Sequence, residues 1–354
     1  MKSIRVIWLL LLTGLLYLSC KSNSSYAIRD FESSLQPHLV NIVSEGIIGH
    51  HKSIQFIEEN TTDGDLQKLA RSEHPALRAV AFSVMLKRSS INHFKLIMNN
   101  LADTAIVALD WGEFGIRYRT VSDYLLDRAE WDDTISRNQT INAVLTKHNY
   151  LHGAYSILLN LPAEEKYYPF IKEMAQRKRS EKDFFEPGFK EEEYALFGLA
   201  KFGKKEDVNI IKDWLLENRG QFSHLSFRLM KEFPNEAYHK VFQEFYLHNF
   251  YPITSQNQYA WYPEEFVESL AVYKNETSSK ILSSILGQIS NLSSKTGAEY
   301  LKQSLVYAIC NNPCDAYSTL RMQIADDIKN YEKREKLVMD TIFQSSSQKK
   351  TIRW

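Results

Sequence analysis

Glycine and proline are scarce in this chain, at 13 and 9 of 354 residues, against an ordinary combined share of roughly 12%. Collagen-like, low-complexity and loop-rich architectures are thereby excluded. There is no excess of charge, because 43 Lys and Arg balance 43 Asp and Glu. A polyanion is therefore not favoured as a partner, and nucleic acid is not expected as one. Recognisable catalytic sequence is missing as well: the chain has no Gly-x-Ser-x-Gly elbow, no phosphate loop and no Gly-x-Gly-x-x-Gly. No enzyme chemistry and no cofactor are expected on motif grounds. What is present is a breaker-poor chain, long enough to bury a sizeable core, with the periodicity of helices nearly throughout.

At the N-terminus, Lys2 and Arg5 precede an apolar run from Val6 to Leu18 that ends at Ser19-Cys20. Its 13 residues fall short of the ~20 needed to span a bilayer, and the pattern is that of an export signal. A small residue directly before a cysteine resembles the signal of a bacterial lipoprotein, which implies Cys20 as the lipidated first residue of the mature chain. An ordinary cleaved signal and an uncleaved anchor are the competing readings. Lys21 to Ser25 reads as a polar tether. Removing residues 1–19 takes away Lys2 and Arg5 and no acid, so the remainder stays close to neutral.

With Cys20 set aside, two cysteines are left, Cys310 and Cys314 in Cys-Asn-Asn-Pro-Cys. In an oxidising compartment an even remainder at close spacing fits a disulfide, and free buried thiols are the other reading. A redox pair would need Cys-x-x-Cys in a βαβ setting.

Leu77, Val80, Ala81, Val84 and Met85 form one apolar stripe, and Phe94, Ile97, Met98 and Leu101 form the next after a break at Ser89-Ser90. Two short amphipathic helices so joined make a hairpin that cannot bury both stripes alone, which predicts repetition. Sliding the pattern by 114 residues carries Ala81 onto Ala195 without a gap and brings Met85 onto Leu199, Ile97 onto Ile211 and Leu101 onto Leu215. Sliding it by 73 carries Ala81 onto Ala154, with Leu158, Phe170 and Met174 in the matching slots. A weaker copy begins near Ser226-Phe227, with Pro234 at its turn. Such spacings fit helical repeats of roughly 40 to 47 residues.

The stretch His74-Pro75-Ala76-Leu77-Arg78, followed by Ala81-Phe82, resembles the HEAT signature. Pro75, Arg78 and Ala81 take its structural positions. The family's arginine usually meets an acid upstream, and here Ser72 and Glu73 are on offer. The chain as a whole resembles HEAT-repeat lipoproteins of Gram-negative envelopes, which implies an α-solenoid and no assigned reaction.

Other constellations are weaker. His148 and His152 are four apart but lack the internal Glu of a metalloprotease motif, so no metal site is expected. Asp132-Asp133 and Glu191-Glu192-Glu193 read as N-terminal helix acids or a solvated face, since neighbours on a helix do not converge across a cleft. Pro162 with Glu164 and Glu165 reads as a helix start. Thr296 with Glu299 reads as a capping box and Pro313 as a stop. Asn60, Asn138 and Asn275 open Asn-x-Thr triplets, the mark of a eukaryotic secreted alternative. The most suggestive feature is aromatic. Phe250, Tyr251, Tyr259, Trp261 and Tyr262 lie among Ser, Asn and Gln, a composition suited to adaptable binding surfaces. With Phe184 and Phe185, in a charged stretch from Gln176 to Glu193, they are expected to flank a concave partner-binding face.

The expectation is therefore an all-α protein: a signal peptide at 1–19, a lipidated Cys20 and tether at 20–40, a HEAT-like α-solenoid at 41–344 and a polar, basic tail at 345–354. Its expected role is a scaffold, held by lipid at the cell envelope, outer membrane before inner, that presents its repeats to a protein partner. The alternative is a helical envelope hydrolase acting on glycans or peptides.

Overall fold

The computed structural model describes residues 25–49, 52–110, 112–129, 133–177, 191–218, 222–250, 263–289, 295–334 and 336. The chain is mostly helical and divides into two compact units, the first ending at Ile157 and the second opening at Leu158.

The first unit opens earlier than the expected tether allows. Tyr26 bridges to Ser72, and Phe31, Leu35 and Leu39 are buried, so packed residues already lie inside the 20–40 segment. Leu35 and Leu39 lead into and sit on α1 (Gln36–Glu45). After it come β1 (Ile47–Ile48), α2 (Lys52–Asn60), α3 (Asp63–Leu69), α4 (Pro75–Met85) and α5 (His93–Asn100). Thr62 and Asp65 form a reciprocal capping box that starts α3, and Pro75 occupies the first turn of α4, where its missing N–H costs nothing. Helix α4 is the centre of the unit, packing against α1, α3 and the later α6. Leu77, Val80, Ala81, Val84 and Met85 are all buried, as their spacing predicts.

A small sheet interrupts the helices of this unit. Ile106–Asp110 and Ile116–Thr120 are strands β2 and β3, antiparallel to one another with Ile106 opposite Thr120 and Asp110 opposite Ile116. Strand β1 adds in parallel on the far side of β2. The cause is local: Ile106-Val107-Ala108-Leu109 is too short and too apolar to make an amphipathic helix, and Gly112 and Gly115 take positive φ in the connection. Val107 and its partner Arg119 are buried together, whereas Ile106, Ile116 and Tyr118 face out. Helices α6 (Val121–Asp127), α7 (Thr134–Lys147) and α8 (His152–Leu158) come next. Thr120 caps α6 and Asp133 caps α7 with their side chains.

In the second unit, α9 (Tyr168–Gln176) precedes α10 (Glu191–Ala200) and α11 (Val208–Glu217). The chain continues through α12 (His224–Glu232), α13 (His239–Phe245), α14 (Pro263–Ala271), α15 (Glu276–Ile289), α16 (Lys295–Asn311) and α17 (Ser318–Gln323). Packing runs in chain order in two rows. Helices α10, α12, α14 and α16 touch in succession, and so do α11, α13, α15 and α17. Phe227, Phe245 and Phe266, from α12, α13 and α14, fill the space between rows with ring centroids 5.1 to 5.9 Å apart, a spacing in which aromatic pairs attract.

One kind of turn recurs ahead of α9, α11, α13 and α17. Glu165–Tyr167, Lys205–Asp207, Glu236–Tyr238 and Asp315–Tyr317 are single 3₁₀ turns, and each ends on a buried residue, Tyr167, Asp207, Tyr238 or Tyr317. The helix expected to start around Pro162 therefore starts at Tyr168, after such a turn. Among the described residues α16 runs from Lys295 and stops at Asn311, two residues before Pro313.

Candidate binding surface

The residues that resemble the HEAT signature fall on α4. Ala81 is buried on its inner face, as are Ala154 and Ala195, the two positions onto which it slides. Arg78 meets an acid, but not upstream. Its Nε donates to Asp103 Oδ2 at 2.7 Å and its Nη2 to Asp103 Oδ1 at 2.9 Å, a two-pronged pair beyond the end of α5. Upstream it reaches only backbone, the carbonyl oxygens of Ser72 and Glu73 at 2.9 and 3.3 Å. The arginine thus ties the turn before α4 to the end of α5, and the planar fork suits it to both.

Further cations and hydroxyls close helix ends in the same way. Arg88 Nη1 pairs with Asp63 at 2.6 Å, while Nη2 donates to the Thr61 carbonyl at 2.7 Å, just past α2. In the second unit, Lys201 Nζ donates to the carbonyl oxygens of Leu158, Leu159 and Leu161 at 2.7, 2.7 and 2.9 Å. Burial holds that ammonium below its usual range, with the charge of Arg228 acting the same way. Tyr273 Oη donates to Met230 O at 3.2 Å, and Tyr317 Oη to Ala271 O at 2.9 Å. Each donor meets carbonyls at or just past the C-terminal end of a helix, where the helix's own N–H groups run out, so a side chain of one hairpin seals the end of an earlier one.

The expected binding residues Phe184, Phe185, Tyr251, Tyr259, Trp261 and Tyr262, and the lipidation site Cys20, lie outside the described residues. Cys310 and Cys314 are free thiols, both half-buried. The disulfide reading is not realised: Cys310 is held within the last turns of α16, and Cys314 lies in extended backbone beyond it, at φ −162°. Burial raises the Cys310 thiol above its usual range. His148 caps the end of α7 and contacts Tyr150 Oη at 3.1 Å, while His152 is buried at the start of α8, so the two stand on different elements. Among the described residues no three His, Cys, Asp or Glu side chains are grouped to hold a metal ion, and no helix is long and apolar enough to cross a membrane.

Glu191, Glu192 and Glu193 open α10, as expected. Glu193 is nonetheless buried, accepting from Ser223 Oγ and, at 2.8 Å, from Ser226 Oγ.

An exposed aromatic cleft lies in the C-terminal part of the second unit. Tyr300 and Tyr307 stand on α16 one heptad apart, 50% and 43% exposed. They border a cleft of about 320 Å³ that also includes Glu264 from α14, and Asp327, Tyr331 and Arg334 from the helical residues 325–334. Tyr331 packs edge-on against Tyr307, with centroids 6.1 Å apart. Tyr300 donates to the Glu264 carboxylate, which pushes its hydroxyl up to about 12. Lys302, also on the lining, pairs with Asp327 at 2.8 Å. Sequence reasoning did not single out this cleft, although α16 carried the signal: Tyr300 and Tyr307 fall off the stripe of Leu301, Leu305, Ala308 and Ile309 that the core takes up.

Compared with known proteins, the chain matches no family model, none of the curated sequences and no solved structure.

Proposed function

We propose that the protein is a scaffold of the bacterial cell envelope, anchored by a lipid on Cys20, in which HEAT-like hairpins stack as an α-solenoid and present a face to a protein partner. The observation that carries this reading is the pair of sequence-ordered helix rows in the second unit. A stack of that kind uses its interior for neighbouring repeats and leaves its faces and its last repeat for others. On α16 the residues left over are Tyr300 and Tyr307, amphipathic rings of the kind enriched in protein interfaces. The aromatic segments at Phe184-Phe185 and Tyr251–Tyr262 belong to the same reading as a second contact region.

The test uses the native envelope. A photo-crosslinking amino acid placed at Tyr300 or Tyr307 is expected to capture a discrete protein. Capture should fall at least tenfold in a Trp261→Ala/Tyr262→Ala background if both regions serve one partner. A Cys20→Ala chain should lose both the acyl mass and the capture. Failure to crosslink any protein from either tyrosine would remove the scaffold reading, and an unacylated Cys20 in the wild-type chain would remove the anchor.

A further inference from the structure

A cleft of about 650 Å³ in the first unit is built from three consecutive helices. Helix α3 and the turn after it supply Gln67 and Arg71, four residues apart. Helix α5 supplies Lys95 and Asn99, also four apart. Lys95 and Asn99, an i,i+4 pair, share one face of α5, and Gln67 and Arg71 line the other wall, so each wall offers a cation and at least one amide. Ala70 and Ile91, both half-buried, give the cleft its accessible apolar lining, with Phe82 and Met85 of α4 buried behind them. Among the described residues neither Arg71 nor Lys95 has an acidic partner, and no Asp or Glu lines the cleft. Ser90 at the rim donates to Asp63, and Arg88 already neutralises that carboxylate at 2.6 Å.

Two unneutralised cations with amide groups beside them over an apolar floor match an anionic phosphodiester attached to hydrocarbon. A free inorganic ion would make no use of the floor. The position of the cleft names the source. Ser25 is part of its lining, and it stands five positions after Cys20, a contour of at most ~18 Å. A lipid on Cys20 would hold the cleft within reach of the headgroup layer. We propose that this cleft takes the headgroup of an anionic phospholipid, so that the first unit docks on the membrane in one orientation instead of swinging from its tether. The inference rests on the anchored reading for its geometry, but its chemistry can be tested separately.

The probe is dihexanoyl phosphatidylglycerol, titrated calorimetrically below its micelle concentration into the full mature chain extracted in nonionic detergent. Dihexanoyl phosphatidylcholine and glycerol 3-phosphate are the comparisons. Phosphatidylglycerol is expected to bind at least about tenfold more tightly than either, and Arg71→Gln/Lys95→Gln is expected to abolish the difference. Arg71→Lys/Lys95→Arg should retain it. Both double variants change side chains on the cleft walls and none in the core, and unchanged helicity by circular dichroism verifies their fold. Equal binding of the two lipids would overturn the proposal. So would glycerol 3-phosphate binding as tightly as phosphatidylglycerol, which would assign the cleft to a soluble phosphate ester. The intact mass of the same preparation reads the tether independently: selective binding by a chain without acyl groups would keep the headgroup site and discard the anchor.

Discussion

At the scale of single residues, Arg78 and Asp103 form the most consequential polar pair of the first unit. Both side chains are under a fifth exposed, at 16% and 18%. Removing the carboxylate leaves the guanidinium with only the Ser72 and Glu73 carbonyls. Asp103→Ala is expected to cost about 2 to 3 kcal/mol in urea denaturation, less than a fully buried pair because some hydration remains. The double variant Arg78→Ala/Asp103→Ala should cost less than the sum of the singles. The arginine was legible in the sequence through its motif. Its partner was not, because a contact across 25 residues leaves no local pattern. His239 sets a pH dependence. Its Nε2 lies 2.8 Å from Asn275 Nδ2, and Asn275 Oδ1 is already engaged by the Ser278 N–H. The imidazole must therefore accept, which it can do only when neutral. Burial depresses its affinity for a proton, opposed weakly by Glu236. The unfolded chain, titrating near the ordinary value of about 6.5, takes up a proton that the folded chain resists. The stabilisation is full above that value and is lost as pH falls from there through the depressed folded value. Urea midpoints measured from pH 7.5 to 5 should fall, and His239→Gln, which keeps an acceptor, should flatten that fall.

At the scale of elements, helix ends decide how hairpins join. Lys201 is the clearest case, since one ammonium satisfies three carbonyls that lie about 40 residues upstream. Lys201→Met keeps the stem and removes the donors, and is expected to cost about 2 kcal/mol by urea denaturation, because three acceptors lose their partner at once. Unchanged stability would mean that water replaces the ammonium. The helices themselves were readable, because a 3.6-residue stripe is a statement about burial, and Ala81, Ala154 and Ala195 are indeed buried. The hairpin of β2 and β3 was not, although its signals stand in the sequence: a four-residue apolar run, alternation through Ile116 and Tyr118, and two glycines between. Helical periodicity on both sides obscures them. The 3₁₀ turns were hidden for a different reason. Their acids, and the proline shortly before three of them, also describe a helix start, and only the buried last residue separates the two.

At the scale of the whole molecule, the two units differ in how their contacts run along the chain. The first brings β1 to β2 across about 60 residues and wraps α1, α3 and α6 around α4, so its parts depend on one another. The second is joined chiefly from one hairpin to the next. A structure with that connectivity should lose stability from its ends, since each hairpin is supported by its neighbours and little else. Leu320 tests this, being fully buried on α17 at the end of the second row. Leu320→Ala should cost about 2 to 5 kcal/mol locally. In hydrogen exchange, amides of α16 and α17 should exchange faster by the corresponding factor, while those of α10 and α11 keep their wild-type rates. Phe245→Ala, in the middle of the aromatic cluster, should instead accelerate exchange on both sides of α13. If Leu320→Ala lowers protection evenly from α10 to α17, the second unit is a single cooperative block. The stacked-hairpin reading would then fail on energetics even though the helices lie in rows.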